Sequence, residues 1–379
     1  MSAPEDLRAT SDPAREGAEA GRRDLPVVEL DRVTVTYGAV HALDELSLAV
    51  PPGAAIAVLG PSGAGKTTLL HVVAGFATPT RGTVRIGGET VVGPRRTVPP
   101  EHRRVGVVFQ HYALWPHLSA LDTVAYPLRR QGLAAADARR RATELLDGLG
   151  VAELAERRPA EMSGGQQQRV GVARALARDA VVYCFDEPTA HLDTALRAVL
   201  QQHVADRRRA TRAAAVYATH DAGEALAIAD QVVLLRDGRV VQVGTPIQVY
   251  ARPVDRWAAL LTGPASVLDL PVRRTAGGGV EAVVADAAVP VAADAVPAGP
   301  RAAVLVRPEW ADLDGPLRGT VRHVWYRGPH TDHHLEVPGG VIDVRTPGPP
   351  RAHPGDEVGW ALRQGWLLPD PAPAPAGAR

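Results

Sequence analysis

Asparagine is missing from this 379-residue chain, and lysine occurs once, at Lys66, although Lys and Arg together number 42. Both are encoded by A/T-rich codons, so their rarity reads as coding bias, with arginine used wherever else a cation was needed. Cysteine also occurs once, at Cys184. A single thiol excludes an internal disulfide and fits a reducing compartment. Charge of either sign is not in excess, since 42 acidic residues balance the 42 basic ones. Nothing therefore draws the chain electrostatically to nucleic acid. No uninterrupted apolar run approaches the length of a membrane span. The N-terminal stretch, with Glu5, Asp6 and Arg8, lacks the apolar segment of a secretion signal. These absences predict a soluble, cytoplasmic protein whose membrane role, if any, passes through a partner. The arginine runs 139–141 and 207–209 lie in alanine-rich, helix-like stretches and read as solvated helix faces.

The one lysine falls within Gly60-Pro61-Ser62-Gly63-Ala64-Gly65-Lys66-Thr67, followed by Thr68. This fits G-x-x-x-x-G-K-[ST], the loop whose backbone N–H groups cradle phosphates. A compact ammonium on a flexible stem enters such a ring as a point charge, whereas a planar guanidinium is too wide for it. The exception to the arginine habit thus has a chemical reason. The apolar run 54–59 before the loop predicts a buried parallel strand. Residues 67–73 after it begin a helix, whose N-terminal amides favour an anion.

Taken in order, residues 1–25 are polar and patternless and are expected to be disordered. Segments 27–30, 33–37 and 46–50 alternate like half-exposed antiparallel strands. Tyr37 is either a packed strand aromatic or, given its place upstream of the loop, a platform for a base ring. A hairpin turns at Gly87-Gly88. The strand 104–110 ends in Gln110 and runs into the aromatic-rich segment 111–118. From 122 to about 156 the pattern is helical, with Gly132 and Gly150 as stops. Ser163-Gly164-Gly165-Gln166 opens another helix and makes a second anion-binding N-terminus. The apolar strand 180–185 ends in Asp186-Glu187, which fits a metal ligand followed by a base. The strand 213–219 ends in His220-Asp221, and Asp237-Gly238 joins a hairpin. Segment 246–262 reads as short helices. Beyond Gly263-Pro264, Val-rich strands (303–307, 320–326, 334–337, 341–345, 358–362) point to a small all-β barrel or sandwich. Within it, 276–300 is poorly patterned, with room for a loop. The tail from Pro369 is Pro/Ala-rich.

These motifs, in this order, resemble the ATP-hydrolysing subunit of an ABC transporter. Gly60–Thr67 matches the Walker A motif and Gln110 the Q-loop glutamine. Ser163–Gln166 matches the signature motif, with Met162 where leucine is usual. Residues 183–187 match Walker B with its adjacent glutamate, Asp193 closes the D-loop, and His220 matches the switch histidine. Val306-Arg307-Pro308-Glu309 and Val324-Trp325-Tyr326-Arg327-Gly328 resemble the accessory (TOBE-like) barrel of the binding-protein-dependent importers. Segments 98–104 and 112–118 are most similar to the polyamine and ferric-iron members. The D-loop departs from the family at Ala190 and His191, where serine and alanine are usual.

The resemblance implies an α/β P-loop NTPase core with an antiparallel β subdomain and an inserted helical subdomain at about 111–165, together spanning 26–245. Linker helices at 246–263, a small OB-like barrel at 264–369 and a disordered tail at 370–379 follow. It implies ATP and Mg²⁺ as cofactors. Tyr37 and residues 60–68 would bind ATP, with Lys66 on the β- and γ-phosphates. Thr67, Gln110 and Asp186 would hold the metal, Glu187 would act as base, and His220 would hold the γ-phosphate and attacking water. The signature residues would serve a second ATPase subunit, and two permease subunits and an extracytoplasmic binding protein would complete a transporter at the cytoplasmic face of the membrane. An exporter ATPase and a soluble, non-transport ATPase of the same family stay open at this point. So does a ligand-binding barrel, although His323, His330, His333 and His334 read as solvated loop histidines rather than a metal site.

Overall fold

The computed structural model describes residues 25–188, 194–275, 277–285, 287–294 and 299–369. Expectations for the two termini, for Ala190 and His191, and for Asp193 lie outside these residues. The chain divides into two compact units, residues 1–240 and 241–379.

The first unit opens with β1 (Val28–Tyr37) and β2 (Val40–Val50). The two segments read separately from the sequence at 27–30 and 33–37 are one bulged strand. Arg32, at φ 46°, is the left-handed residue where the register shifts. Next come β3 (Ala55–Leu59), the helix α1 (Lys66–Ala74), and the strands β4 (Arg81–Ile86), β5 (Glu89–Gly93), β6 (Arg96–Thr97) and β7 (Val105–Val108). Helices α2 (Ala120–Arg130), α3 (Ala135–Gly148) and α4 (Gly164–Leu176) form a packed cluster around Leu121, Val124, Ala142, Leu146 and Val170. Gly132 and Gly150, at φ 94° and 62°, end the first two of them. The unit closes with β8 (Val182–Asp186), α5 (Thr194–Thr211), β9 (Ala214–Thr219), α6 (Ala222–Ile228) and β10 (Gln231–Arg236), and β11 (Arg239–Gly244) runs across the division between the two units.

Two sheets result. One is antiparallel, in the order β2-β1-β4-β5-β6, and the other is ordered β11-β10-β3-β9-β8-β7. Strands β3, β8 and β9 are buried along their whole length. Apolar on both faces, they can only be central strands of a parallel sheet covered on either side. The turn Asp237-Gly238 has both residues left-handed, at φ 51° and 74°, which matches the twist of a two-residue hairpin. One expectation fails here. Arg208 is not on a solvated face: its side chain is 17% exposed, and it donates to the Gly53 carbonyl at 2.6 and 3.0 Å and pairs with Asp230 at 2.5 Å.

The second unit starts with the helices α7 (Pro246–Ala251) and α8 (Arg256–Leu261), followed by strands only. These are β12 (Ser266–Arg274), β13 (Val280–Val284), β14 (Ala287–Val291), β15 (Arg301–Val306), β16 (Ala311–Tyr326), β17 (His330–Val337), β18 (Gly340–Pro347), β19 (Glu357–Leu362) and β20 (Trp366–Leu367). They form two antiparallel sheets, β14-β13-β12-β15-β20 and β18-β17-β16-β19, closed over Leu268, Val304, Leu335, Ile342 and Trp360. The poorly patterned stretch holds the β13–β14 hairpin, whose inward residues Val280, Ala282, Val284, Val289 and Val291 join that core. His330, His333 and His334 lie on strand β17 and His323 on β16, not in loops; His333 faces inward and is fully buried, and His334 pairs with Asp343 at 2.8 Å.

Arg307 joins the helices to the sheets. It is fully buried and donates to the carbonyls of Tyr250, Ala259, Gly263 and Pro264 and to the Thr262 hydroxyl, with its guanidinium 4.0 Å over the Tyr250 ring. Burial depresses its pKa, and the charge is tolerated because its donors are satisfied. Arg307→Ala strands buried acceptors and is expected to cost about 3 kcal/mol or more. Urea unfolding followed by tryptophan fluorescence reads this as a lower midpoint, and an unchanged midpoint would contradict it.

Candidate active site

The order of the parallel sheet assembles the site. Leu59 of β3 is in register with Thr219 of β9, Ala218 of β9 with Asp186 of β8, and Phe185 of β8 with Val108 of β7. The carboxyl ends of four neighbouring strands therefore deliver Gly60–Thr67, His220, Asp186-Glu187 and Gln110 to one edge. That edge is where ligands collect in open α/β sheets.

Loop 60–65 is held at its two ends against backbone that leaves no room for a side chain at Gly60 or Gly65. A Cβ on Gly60 would lie 2.4 Å from the Leu235 carbonyl, and one on Gly65 2.3 Å from that of Ala42; Gly65 also sits at φ 103°. Lys66 is 6% exposed, and its Nζ donates back to the carbonyls of Gly60 (2.8 Å) and Pro61 (3.0 Å). Burial lowers its pKa, and the carboxylates of Glu187 and Asp186 work in the opposite direction. Thr67 Oγ1 donates to Asp186 Oδ1 at 3.1 Å. Asp186 is nearly buried, which pushes its carboxyl upward, and the Thr67 bond opposes the shift. Thr68 follows on α1.

Glu187 sits just past β8 in left-handed backbone at φ 47°, with its N–H donating to the Ala218 carbonyl at 2.9 Å. Its Oε1 is 2.9 Å from His220 Nδ1. Non-glycine residues in that conformation carry roughly 1–3 kcal/mol of strain, which surrounding contacts must hold. Gln110 lies exposed in the turn that follows β7. Tyr37 is 56% exposed where β1 turns into β2. Ser163 caps α4 and exchanges hydrogen bonds with Gln166 in a capping box, leaving Gly164 and Gly165 in its first turn. Among the described residues no hydrogen bond or ion pair joins Gln110, Tyr37 or Ser163–Gln166 to loop 60–68.

Two supporting residues escaped the sequence reading. Gln168 is buried within α4, and its amide donates to the Pro188 carbonyl, one residue past Glu187. Glu224 is buried and accepts from the Thr219 hydroxyl at 2.6 Å, while the Asp221 N–H donates to the same hydroxyl at 3.1 Å. This brace fixes the turn carrying His220. The available signal was polarity where the helix pattern demands an apolar residue: both lie on buried faces of their helices.

Residues 43–190 match the ABC transporter family and 304–368 the TOBE domain. The chain is 38% identical to the Fe(3+) ions import ATP-binding protein FbpC 1 of Rhizobium meliloti (strain 1021) over 320 residues, 83% of this chain and 89% of that one. The chain belongs to the ABC transporter family. Within that family it is also 38% identical to the spermidine/putrescine import ATP-binding protein PotA of Frankia alni, over 93% of this chain and 82% of that one. Among solved structures, the dimeric post-hydrolysis state of the ATP-binding cassette MJ0796 bound to ADP and Pi aligns with a TM-score of 0.54 at 30% identity. It covers 58% of this chain and 98% of that one. This ABC subunit is accordingly an ATP-binding, ATP-hydrolysing protein with a C-terminal all-β TOBE domain. No helix among the described residues is long and apolar enough to cross a membrane.

Proposed function

We propose that this ABC subunit powers solute import. It works as one of a pair of ATPase chains bound to two permease subunits at the cytoplasmic face of the membrane, fed by an extracytoplasmic binding protein. Ferric iron, a polyamine or a related small solute is the cargo. The observation that carries the reading is the placement of Lys66, Asp186, Glu187 and His220 on adjoining strand ends, in a chain that continues into a TOBE domain. The names of the import relatives support the direction of transport.

The donor set fits Mg²⁺. The Thr67 hydroxyl and Asp186 carboxylate converge within 3.1 Å, both are hard oxygens, and Asp186 is nearly buried. Thr67 and Asp186 would hold the ion, with Gln110 completing its shell. When bound, Mg²⁺ supplies charge neutralisation to the phosphate oxygens. The chain does the rest by positioning. Amides of residues 62–66 and the α1 N-terminus bind the phosphates, while Lys66 gives up its two carbonyl partners for the β- and γ-phosphate oxygens. Tyr37 stacks on the adenine. Glu187 accepts the proton of the attacking water, and His220 orients that water and the γ-phosphate. Ser163, Gly164 and Gly165 offer their donors to the γ-phosphate held by the second chain. Nucleotide thereby favours the closed dimer and hydrolysis releases it, a population shift driven by differential binding.

The test is reconstitution of the chain in vesicles with the permease pair that copurifies with it. ATP hydrolysis should rise when the loaded binding protein is added, with solute accumulating inside. Hydrolysis indifferent to permease and binding protein would refute import.

A further inference from the structure

We propose that Arg174 is a positioning residue for Gln110, acting through the carbonyls of Tyr112 and Ala113. The inference rests on the reading of Gln110 as a ligand of the hydrolytic site.

Tyr112 and Ala113 follow Gln110 almost directly and are both left-handed, at φ 59° and 47°. Two consecutive non-glycine residues in that region do not stay there unaided, since each carries roughly 1–3 kcal/mol of strain. The only side chain recorded on their carbonyls among the described residues is Arg174 of α4, with Nη1 on Ala113 O at 2.5 Å and Nη2 on Tyr112 O at 3.0 Å. The planar fork of a guanidinium presents two donors in one fixed plane, one to each of the two successive carbonyls. The arginine is itself anchored. It is half-buried, burial pushes its pKa down to about 10, and its guanidinium lies 5.5 Å over the Trp115 ring, which packs on Tyr126. It remains charged at neutral pH all the same.

The surrounding contacts tie the same turn to α4. A Cβ on Gly171 would lie 3.5 Å from Tyr112 O, and one on Gly164 3.9 Å from the Tyr112 hydroxyl, so Tyr112 lies along the helix towards its N-terminus. One helical turn further, Arg178 donates to the carbonyls of Pro100, Glu101 and Arg103, ahead of β7. Arg174 on α4 and Arg178 just past its C-terminal end thus clasp the chain on either side of the strand that delivers Gln110. The helix that opens with Ser163-Gly164-Gly165 sets where Gln110 stands.

The experiment is a double-mutant cycle in ATP hydrolysis by the full-length chain with Mg²⁺: Gln110→Ala, Arg174→Met, and both together. Methionine keeps the apolar stem and removes both donors. Arg174→Met should lower kcat about tenfold, as loss of catalytic alignment does, and move the KM for ATP by less than about twofold. The double variant should be no slower than Gln110→Ala alone, because the two act as one. Parental kcat in Arg174→Met, or a double variant slowed by the product of the single effects, overturns the proposal. Parental kcat in Gln110→Ala overturns it differently, by removing the role of Gln110 itself. If Arg174→Met does not fold, Arg174→Gln, too short to reach both carbonyls, takes its place in the cycle. Adding Ala113→Gly then removes one left-handed penalty and should restore at least half of the lost kcat; no recovery counts against the clamp.

Discussion

Glu187→Gln should bind ATP, close, and fail to reopen. Glutamine keeps the size and one oxygen of the carboxylate but cannot accept the proton of the attacking water. Loss of a general base is worth about a hundredfold to ten-thousandfold in turnover. The Thr67–Asp186 pair and the ammonium of Lys66 are untouched by the change, so nucleotide binding should persist. With binding intact and turnover blocked, the ATP-bound dimer should accumulate and elute as such on size exclusion with Mg²⁺ and ATP. The local fold should tolerate the substitution. Glu187 is placed by its own backbone, through the N–H bond to Ala218 and the neighbouring anchor of Gln168 on Pro188, and neither needs the carboxylate. The contact that does need it, 2.9 Å to His220 Nδ1, can be kept by the amide oxygen if that nitrogen is protonated. Hydrolysis at the parental rate would remove Glu187 from the role of base. A monomer in the presence of ATP would remove the dimer.

The second large effect is expected from Lys66→Arg, a change that would be neutral at most cationic positions of this chain. The Lys66 ammonium fits between the carbonyls of Gly60 and Pro61 at 2.8 and 3.0 Å, inside a loop where even a methyl group on Gly60 or Gly65 would collide with backbone. A guanidinium is wider and planar and presents its donors as a fork. It would push the loop outward or turn away from it. Removing one preorganised donor from the developing charge costs about a hundredfold to a thousandfold in kcat, and overpacking the loop adds about 1–3 kcal/mol against the folded loop. Lys66→Arg should therefore lose both nucleotide affinity, measured with a fluorescent ATP analogue, and turnover. The control is Arg140→Lys on the exposed face of α3, where the ion pairs to Asp137 and Glu144 are solvated and worth little. Equal activity of Lys66→Arg and Arg140→Lys would mean that the rarity of lysine is coding bias alone.

Much of the site was legible because its chemistry needs residues that are conspicuous. A glycine loop, a lone lysine, paired carboxylates at the end of an apolar run and a strand-end histidine are each visible in one dimension. The supporting residues were not. Arg174 and Arg208 look like any other helix arginine in a chain that uses arginine for nearly every cation, and only their carbonyl partners set them apart. Gln168 is the third of three successive glutamines, and which of them faces inward depends on how α4 packs. The β13–β14 hairpin was missed because Ala and Val alternate there with little contrast, and alanine has weak strand preference. Its core face exists because β12 lies beside it.

From the sequence alone came the parts: which strands are buried on both faces, where the anion-binding helix ends lie, which side chains can do phosphoryl chemistry, and that an all-β module follows. These follow from local periodicity and residue chemistry, which need no partner. The order β3-β9-β8-β7 was decided only in three dimensions, and with it the meeting of Lys66, His220, Glu187 and Gln110 at one edge. Strand order is a choice among crossovers whose local sequences look alike, and it is settled by which faces bury together. The left-handed turns at Glu187 and at Tyr112-Ala113 belong to the same class. Local backbone bonds close the second of them, from Tyr112 N–H to Phe109 and from Ala113 N–H to His111, but both also take partners distant in sequence, the Ala218 carbonyl for Glu187 and the Arg174 side chain for Tyr112 and Ala113.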